Sequence, residues 1–262
     1  MSAAEIPALT LLLRALKLPS MAERHEELIR QAESEGWTHG KCLRALVDLE
    51  LGHRRTKRIE RLLKASGLPT EKTLATLSQE KLPSKVRRQL PALCDAGFIE
   101  RAENVLIFGL PGRGKTHVAC AIGHELIQRG HSVLFVPAAL LVQRLLVAKK
   151  NLELEQELKR LDGFDAVLID DIGYIQQDRE EMEVLFTFLS ERYERRSVLI
   201  TSNLVFSQWD RIFKDPMTTA AAIDRVVHHA QILEMTGGSI RDEEAKSRVE
   251  AEKKKSKREE SE

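Results

Sequence analysis

The stretch Gly109-Leu110-Pro111-Gly112-Arg113-Gly114-Lys115-Thr116 decides the fold of this chain. It follows a short apolar run, Val105 to Phe108, and precedes an amphipathic stretch, His117 to Gln128. That order predicts strand, glycine-rich loop and helix, the context in which G-x-x-x-x-G-K-T cradles phosphate. Glycines let the backbone wrap close to an anion and aim N–H groups at it. The N-terminus of the following helix adds partial positive charge at the same point. Lys115 is placed to reach β- and γ-phosphates, and Thr116 to set its hydroxyl on Mg²⁺. The competing reading is a Gly-rich turn before an ordinary helix; the flanking pattern favours a nucleotide loop running from Gly109 through His117.

Around this loop the pattern alternates. Nearly continuous apolar runs at Asn104–Phe108, Ser132–Val136, Ala166–Ile169, Ser197–Thr201 and Gln231–Met235 read as buried strands. Helical segments lie between them, near His117–Gln128, Leu140–Ala148, Glu153–Leu161 and Arg179–Arg195. Such alternation predicts an α/β fold with a parallel sheet flanked by helices. A ligand then sits at the carboxyl ends of the strands, where the glycine loop lies.

Upstream the pattern is helical only. Leu9, Leu12, Leu13 and Leu16 keep 3.6-residue spacing, and Pro19-Ser20 restarts the chain. Met21 to Ala32 forms a second helix, and Thr38 is a candidate N-cap for a third, from about Gly40 to Ala65. Residues 1–67 therefore read as a small α-helical domain, 68–91 as a connector punctuated by Pro69, Pro83 and Pro91, and 92–240 as the nucleotide domain. Residues 241–262 form a charged tail, ending near Lys253-Lys254-Lys255, with too little apolar content to fold alone.

Composition sets limits on partners. A net charge of +1 over 262 residues advertises no nucleic acid globally, so such a partner must be argued from local clusters. Aromatic residues make up only 5%, which disfavours recognition by stacked bases. Cys42, Cys94 and Cys120 lack metal-ligand spacing and read as reduced thiols of a cytoplasmic protein. The longest apolar stretch, Val133 to Val142, is too short to span a bilayer, so no membrane partner is expected.

Ala166-Val167-Leu168-Ile169-Asp170-Asp171 is an apolar strand delivering two carboxylates to the tip of the sheet. A Mg²⁺ site beside a phosphate loop needs such an acid, here Asp170. Asp171, one residue on, is placed to act on the attacking water as general base or orienting group. A cap or turn pair is the alternative, since Asp is common there. Asp is one methylene shorter than Glu, which predicts slow hydrolysis. Ser197 to Asn203 repeats the design, with Asn203 expected between the glycine loop and Asp171, or else serving its own turn. Arg225 falls on a helix late in the domain. On residues alone it reads as an exposed arginine paired with an acid, although an arginine supplied in trans can stabilise a transferring phosphoryl group.

The segment His53 to Lys64 is the best local case for nucleic acid. At about 100° per residue, Arg54, Lys57, Arg58, Arg61 and Lys64 share one arc, while Ile59, Leu62 and Leu63 lie elsewhere; Arg55 is counted with the same basic segment. Such a stripe suits phosphates read without base contacts, and a merely solvated face is the alternative. Arg144, Lys149 and Lys150 form a second basic candidate, equally readable as cations at a helix C-terminus.

Taken together these residues resemble the IstB-type transposition ATPases, AAA+ helper proteins of insertion sequences, and their relatives the DnaC helicase loaders. The resemblance is carried by Leu16 to Ala22, Glu100 to Asn104, Lys115-Thr116-His117, Ile169 to Tyr174, Thr201 to Leu204 and Asp224 to Ala230. It implies an AAA+ core without a separate C-terminal lid, ATP and Mg²⁺ as ligands, and homo-oligomers with nucleotide at subunit interfaces. It further implies assembly on duplex DNA and delivery of that DNA to a partner transposase. By the same resemblance Asn203 takes the sensor position, Arg225 the arginine finger, and the segment holding Arg144 a helix that meets DNA. The family usually ends Gly-Glu-Ser-Tyr-Arg, whereas this chain reads Gly237-Gly238-Ser239-Ile240-Arg241. A helicase loader, gripping a helicase through its N-terminal domain, is the alternative reading. A small-molecule kinase has no support beyond the loop itself.

Overall fold

The computed structural model describes residues 5–174, 179–204, 208–209 and 216–237. The tail from residue 241, with Arg241, lies outside the described residues. By its own contacts the chain divides into two compact units, one up to Arg61 and one from Leu62.

The first unit is built of α1 (Glu5–Ala15), α2 (Pro19–Ser34) and most of α3 (His39–Ser66). Thr38 caps α3, its Oγ1 accepting the Lys41 N–H at 3.3 Å. The start of α2 has no cap of its own: Leu18 precedes Pro19 and offers no side-chain oxygen. Glu50 of α3 supplies one instead, accepting the N–H groups of Ser20 at 3.0 Å and Met21 at 3.3 Å. A carboxylate at a helix N-terminus satisfies orphan donors and complements the dipole. Glu50 is 4% exposed and is also paired with Arg54 at 3.2 Å.

The second unit holds a five-stranded sheet ordered β2-β3-β4-β1-β5. Its strands are β1 (Asn104–Phe108), β2 (Val133–Pro137), β3 (Ala166–Asp170), β4 (Ser197–Ser202) and β5 (Ala230–Glu234). All pairings are parallel, as the apolar runs predict. Between strands lie α6 (Lys115–Gln128), α7 (Ala138–Lys150), α8 (Leu154–Asp162), α9 (Arg179–Arg192) and α10 (Pro216–Val227). One sheet face, with Leu106, Val167, Ile169, Val198 and Ile200, packs in a core with α7, α9 and α10. The alternate residues, such as Val105 and Ile107, are equally buried and belong to the opposite face, where α6 lies.

The connector is not loose. Leu68, Leu77, Leu82, Val86 and Leu90 are buried, and α4 (Ser84–Cys94) begins inside the segment, followed by the short α5 (Gly97–Glu100). Part of the connector is fastened to α6. Leu68 packs where Gly123 leaves space, His124 Nε2 lies 3.0 Å from the Pro69 carbonyl, and Arg129 donates to the Cys94 carbonyl at 2.6 Å. Cys94 and Cys120 are free thiols whose burial pushes their pKa up to about 11 and about 12. Both stay protonated and unreactive.

Arg192 closes the far end of the sheet. It is buried and donates to the carbonyls of Leu161, Phe164 and Ser197 at 2.9 to 3.0 Å. Burial lowers its pKa to about 10, so it remains charged and ties α8, β3 and β4 together.

Candidate nucleotide site

Strand register sets the loop. Phe108 pairs with Ser202 on one side and Glu234 on the other. Gly109 N–H donates to Ser202 O at 3.2 Å, and Met235 N–H to Phe108 O at 2.7 Å. Gly109 has φ 156°, and a Cβ there would stand 2.6 Å from Met235 O, so only glycine fits. Gly112 and Gly114 have φ 76° and 79°, turning the loop back to the start of α6. The first-turn N–H groups of α6 have no intrahelical acceptor, which suits this terminus to an anion.

Lys115 is buried, and its Nζ donates to Leu110 O across the loop at 3.1 Å. Thr116 Oγ1 donates to Asp170 Oδ1 at 2.9 Å and lies 3.2 Å from Oδ2. A hydroxyl and a carboxylate thus meet at the ends of α6 and β3, a hard-oxygen pair suited to Mg²⁺. Thr201 on β4 donates to the same Oδ1 at 2.6 Å and accepts the Asp171 N–H at 2.9 Å. Asp171 has φ 59°, a left-handed conformation that Asp tolerates better than most residues.

Among the described residues, two buried polar atoms of this site lack a hydrogen-bond partner, Asn203 Oδ1 and Arg113 Nη1. Each such orphan costs about 1–3 kcal/mol unless a ligand satisfies it. Asn203 follows β4, the strand between β3 and β1, and its carboxamide lies against Gly173. Gly173 makes room for it, because a Cβ at Gly173 would collide with Asn203 Oδ1. Arg113 Nη1 lies 3.0 Å from where a Cβ of Gly237 would be, at φ 114°. The glycine cradle, the Thr116–Asp170 pair and the two orphans fit a triphosphate with its cation.

Other predicted residues are placed differently. His117 turns its Nε2 to Thr73 O at 3.1 Å and to Thr76 Oγ1 at 3.2 Å, fastening α6 to the connector. Its backbone N–H still belongs to the first turn of α6. Arg225, half-buried on α10, lies over the Phe186 ring at 4.7 Å. Of the basic residues, Arg54 is held by Glu50 and by Lys17 O at 2.9 Å, and Lys57 by Glu60 at 3.0 Å. Arg55, Arg58 and Arg61 are exposed with them on α3, as is Lys64 in the second unit. Arg144 and Lys149 are engaged by Glu157 at 2.8 Å and Glu183 at 2.9 Å, while Lys150 is exposed. Sequence reading did not single out Thr201 or Gly173. The polar Thr at the tip of an apolar strand, beside the aspartates, was the available signal.

Over residues 11–248 the chain matches the family described as IstB-like ATP binding protein. It is 42% identical over 234 residues to an insertion sequence ATP-binding protein of Sinorhizobium fredii, covering 89% of this chain and 78% of that one. The insertion sequence IS21 ATP-binding protein of Pseudomonas aeruginosa is 35% identical, covering 89% of this chain and 88% of that one. Among solved structures, replication initiator DnaA bound to AMPPCP and single-stranded DNA superposes with a TM-score of 0.57 at 17% identity. That match covers 71% of this chain and 56% of that one, and it shows the shared AAA+ fold. Among the described residues no helix is long and apolar enough to cross a membrane. With the family match over residues 11–248 and relatives at 42% and 35% identity across most of their length, the chain belongs to the IstB-like ATP-binding proteins of insertion sequences.

Proposed function

We propose that the protein is an ATP-hydrolysing transposition regulator that assembles on duplex DNA and presents it to a partner transposase. The observation that carries the enzymatic part is the cluster of Thr116, Asp170 and Thr201 beside the unpartnered Asn203 carbonyl. Thr116 and Asp170 would hold Mg²⁺, which when bound neutralises charge on phosphate oxygens. Lys115 exchanges Leu110 O for the β- and γ-phosphates. Asn203 orients a water, and Asp171 takes its proton as the oxygen attacks the γ-phosphorus. The bond to the β,γ-bridging oxygen breaks, leaving ADP and inorganic phosphate. Arg225 leaves the Phe186 ring to reach the nucleotide of an adjacent copy, so turnover depends on assembly.

The DNA part rests on α3. Along one face of this helix Leu43, Val47 and Leu51 are exposed, and Arg54, Arg58 and Arg61 continue the same face. The cationic half suits phosphates, and the apolar half suits a protein neighbour, whether a second copy or the transposase. Arg144 and Lys149, already engaged by acids, contribute less, and Lys150 supplies the free end of that second patch.

The deciding measurement is fluorescence anisotropy with duplex and single-stranded DNA of equal length, in ATP and in ADP, over a salt series. Tight, ATP-dependent, sequence-indifferent duplex binding that falls steeply with salt supports the reading. Preference for single strands replaces it with helicase loading.

A further inference from the structure

Away from the phosphate loop, two turns bring metal-ligating side chains together. Glu194 lies in the turn from α9 to β4, and His228 and His229 in the turn from α10 to β5. One ligand atom from each falls within 4.8 Å of the others, and among the described residues no other such group forms. His229 Nε2 is 3.6 Å from Glu194 Oε1, and the two imidazole centroids are 4.2 Å apart. These turns lead into the amino ends of β4 and β5, the end of the sheet opposite the nucleotide.

The cluster is supported from outside. Tyr193 OH lies 3.1 Å from His228 Nδ1, the second contact that fixes a ligating imidazole's tautomer and orientation. The His228 N–H donates to Asp224 O at 2.9 Å, and His229 O accepts the Asn104 N–H at 2.7 Å. Both histidine backbones are therefore anchored to regular structure. Glu194 sits at φ 55°, where glycine or asparagine is the usual occupant. Surrounding charge is compatible with a cation. Glu103 and Asp224 are near, Arg101 is bound to Glu103 at 2.6 Å, and Arg225 rests on Phe186.

We infer that Glu194, His228 and His229 form a surface site for a first-row divalent ion of the Zn²⁺, Co²⁺ or Ni²⁺ class. Two imidazoles and one carboxylate select these ions over Mg²⁺ and leave coordination positions for water. A bound ion joins the α9–β4 turn to the end of α10, one helical turn from Arg225. It thereby stiffens the element that carries the proposed finger.

The test uses the full chain without an affinity tag, stripped with chelator, titrated with Co²⁺ in excess Mg²⁺ and without nucleotide. The expected result is one Co²⁺ per chain, with d–d absorption and a raised Tm. His228→Ala and Glu194→Gln abolish the signal, and Tyr193→Phe weakens affinity by about tenfold. Thr116→Ala, which disables the proposed Mg²⁺ site, leaves Co²⁺ binding intact, so failure here is separate from failure of the ATPase reading. Wild type binding no more Co²⁺ than His228→Ala, with both folded by circular dichroism, overturns the site.

Discussion

The Thr201 hydroxyl donates to Asp170 Oδ1 at 2.6 Å while accepting the N–H of Asp171 at 2.9 Å, so one side chain of β4 aligns the last residue of β3 and the one that follows it. Thr201→Val keeps the volume and removes this alignment. ATP turnover is expected to fall by about 10- to 100-fold, as when an outer-sphere partner is lost, while nucleotide affinity changes little. Steady-state kinetics beside a fluorescent-nucleotide titration checks the split.

Gly173→Ala drives a methyl group into Asn203 Oδ1. The variant should bind ATP with wild-type affinity yet hydrolyse it slowly, and Asn203→Ala should show the same phenotype. Combining the two changes should add little, because both remove one function. Additive losses in single-turnover measurements would dissociate Gly173 from Asn203.

Arg225→Ala separates binding from assembly. Monomer affinity for ATP stays unchanged, whereas turnover of the DNA-bound form falls by roughly 10³-fold, as for arginines supplied in trans. Mixing Arg225→Ala with Lys115→Ala subunits should restore part of the activity through mixed interfaces. Equal turnover of Arg225→Ala and wild type would remove the residue from the reaction.

Glu50→Gln replaces a buried carboxylate that holds two N–H groups of α2 and the Arg54 guanidinium. Loss of charge at this helix terminus should destabilise the first unit by about 1–3 kcal/mol. Chemical denaturation is the measurement, with monomer affinity for ATP, a property of the second unit, as the internal control.

Asp165 gives stability a defined pH dependence. Burial raises its pKa, but bonds from Ser132 N–H and Oγ, both at 2.9 Å, and Arg196 at 2.8 Å outweigh that and hold it below the ordinary value. A depressed native pKa stabilises the fold above the unfolded value of about 3.9 and loses that contribution as pH falls through the native value. Asp165→Asn should therefore lower Tm near neutral pH, with the gap to wild type closing in acid.

Local patterns made the sheet readable: β1 occupies Asn104–Phe108 as its apolar run predicts, and Thr38 caps α3. The glycine loop was equally legible, because its spacing carries its own chemistry. What stayed hidden depends on residues distant in the chain. Nothing near Ser20 announces that Glu50 will cap it. Gly173 looks like a turn glycine until Asn203 is placed against it. The connector reads as a run punctuated by prolines, and nothing in it announces that Leu68 will pack at Gly123 of α6. Arg144 and Lys149 look available for DNA until Glu157 and Glu183 are seen beside them.

Gly109 is shaped by Met235, and β1 is an edge strand on that side until β5 pairs with it. The strand that finishes the nucleotide cradle is the last of the five to leave the ribosome. A nascent chain therefore carries the glycine loop made but not braced until β5 has emerged, and competence for nucleotide waits on that strand.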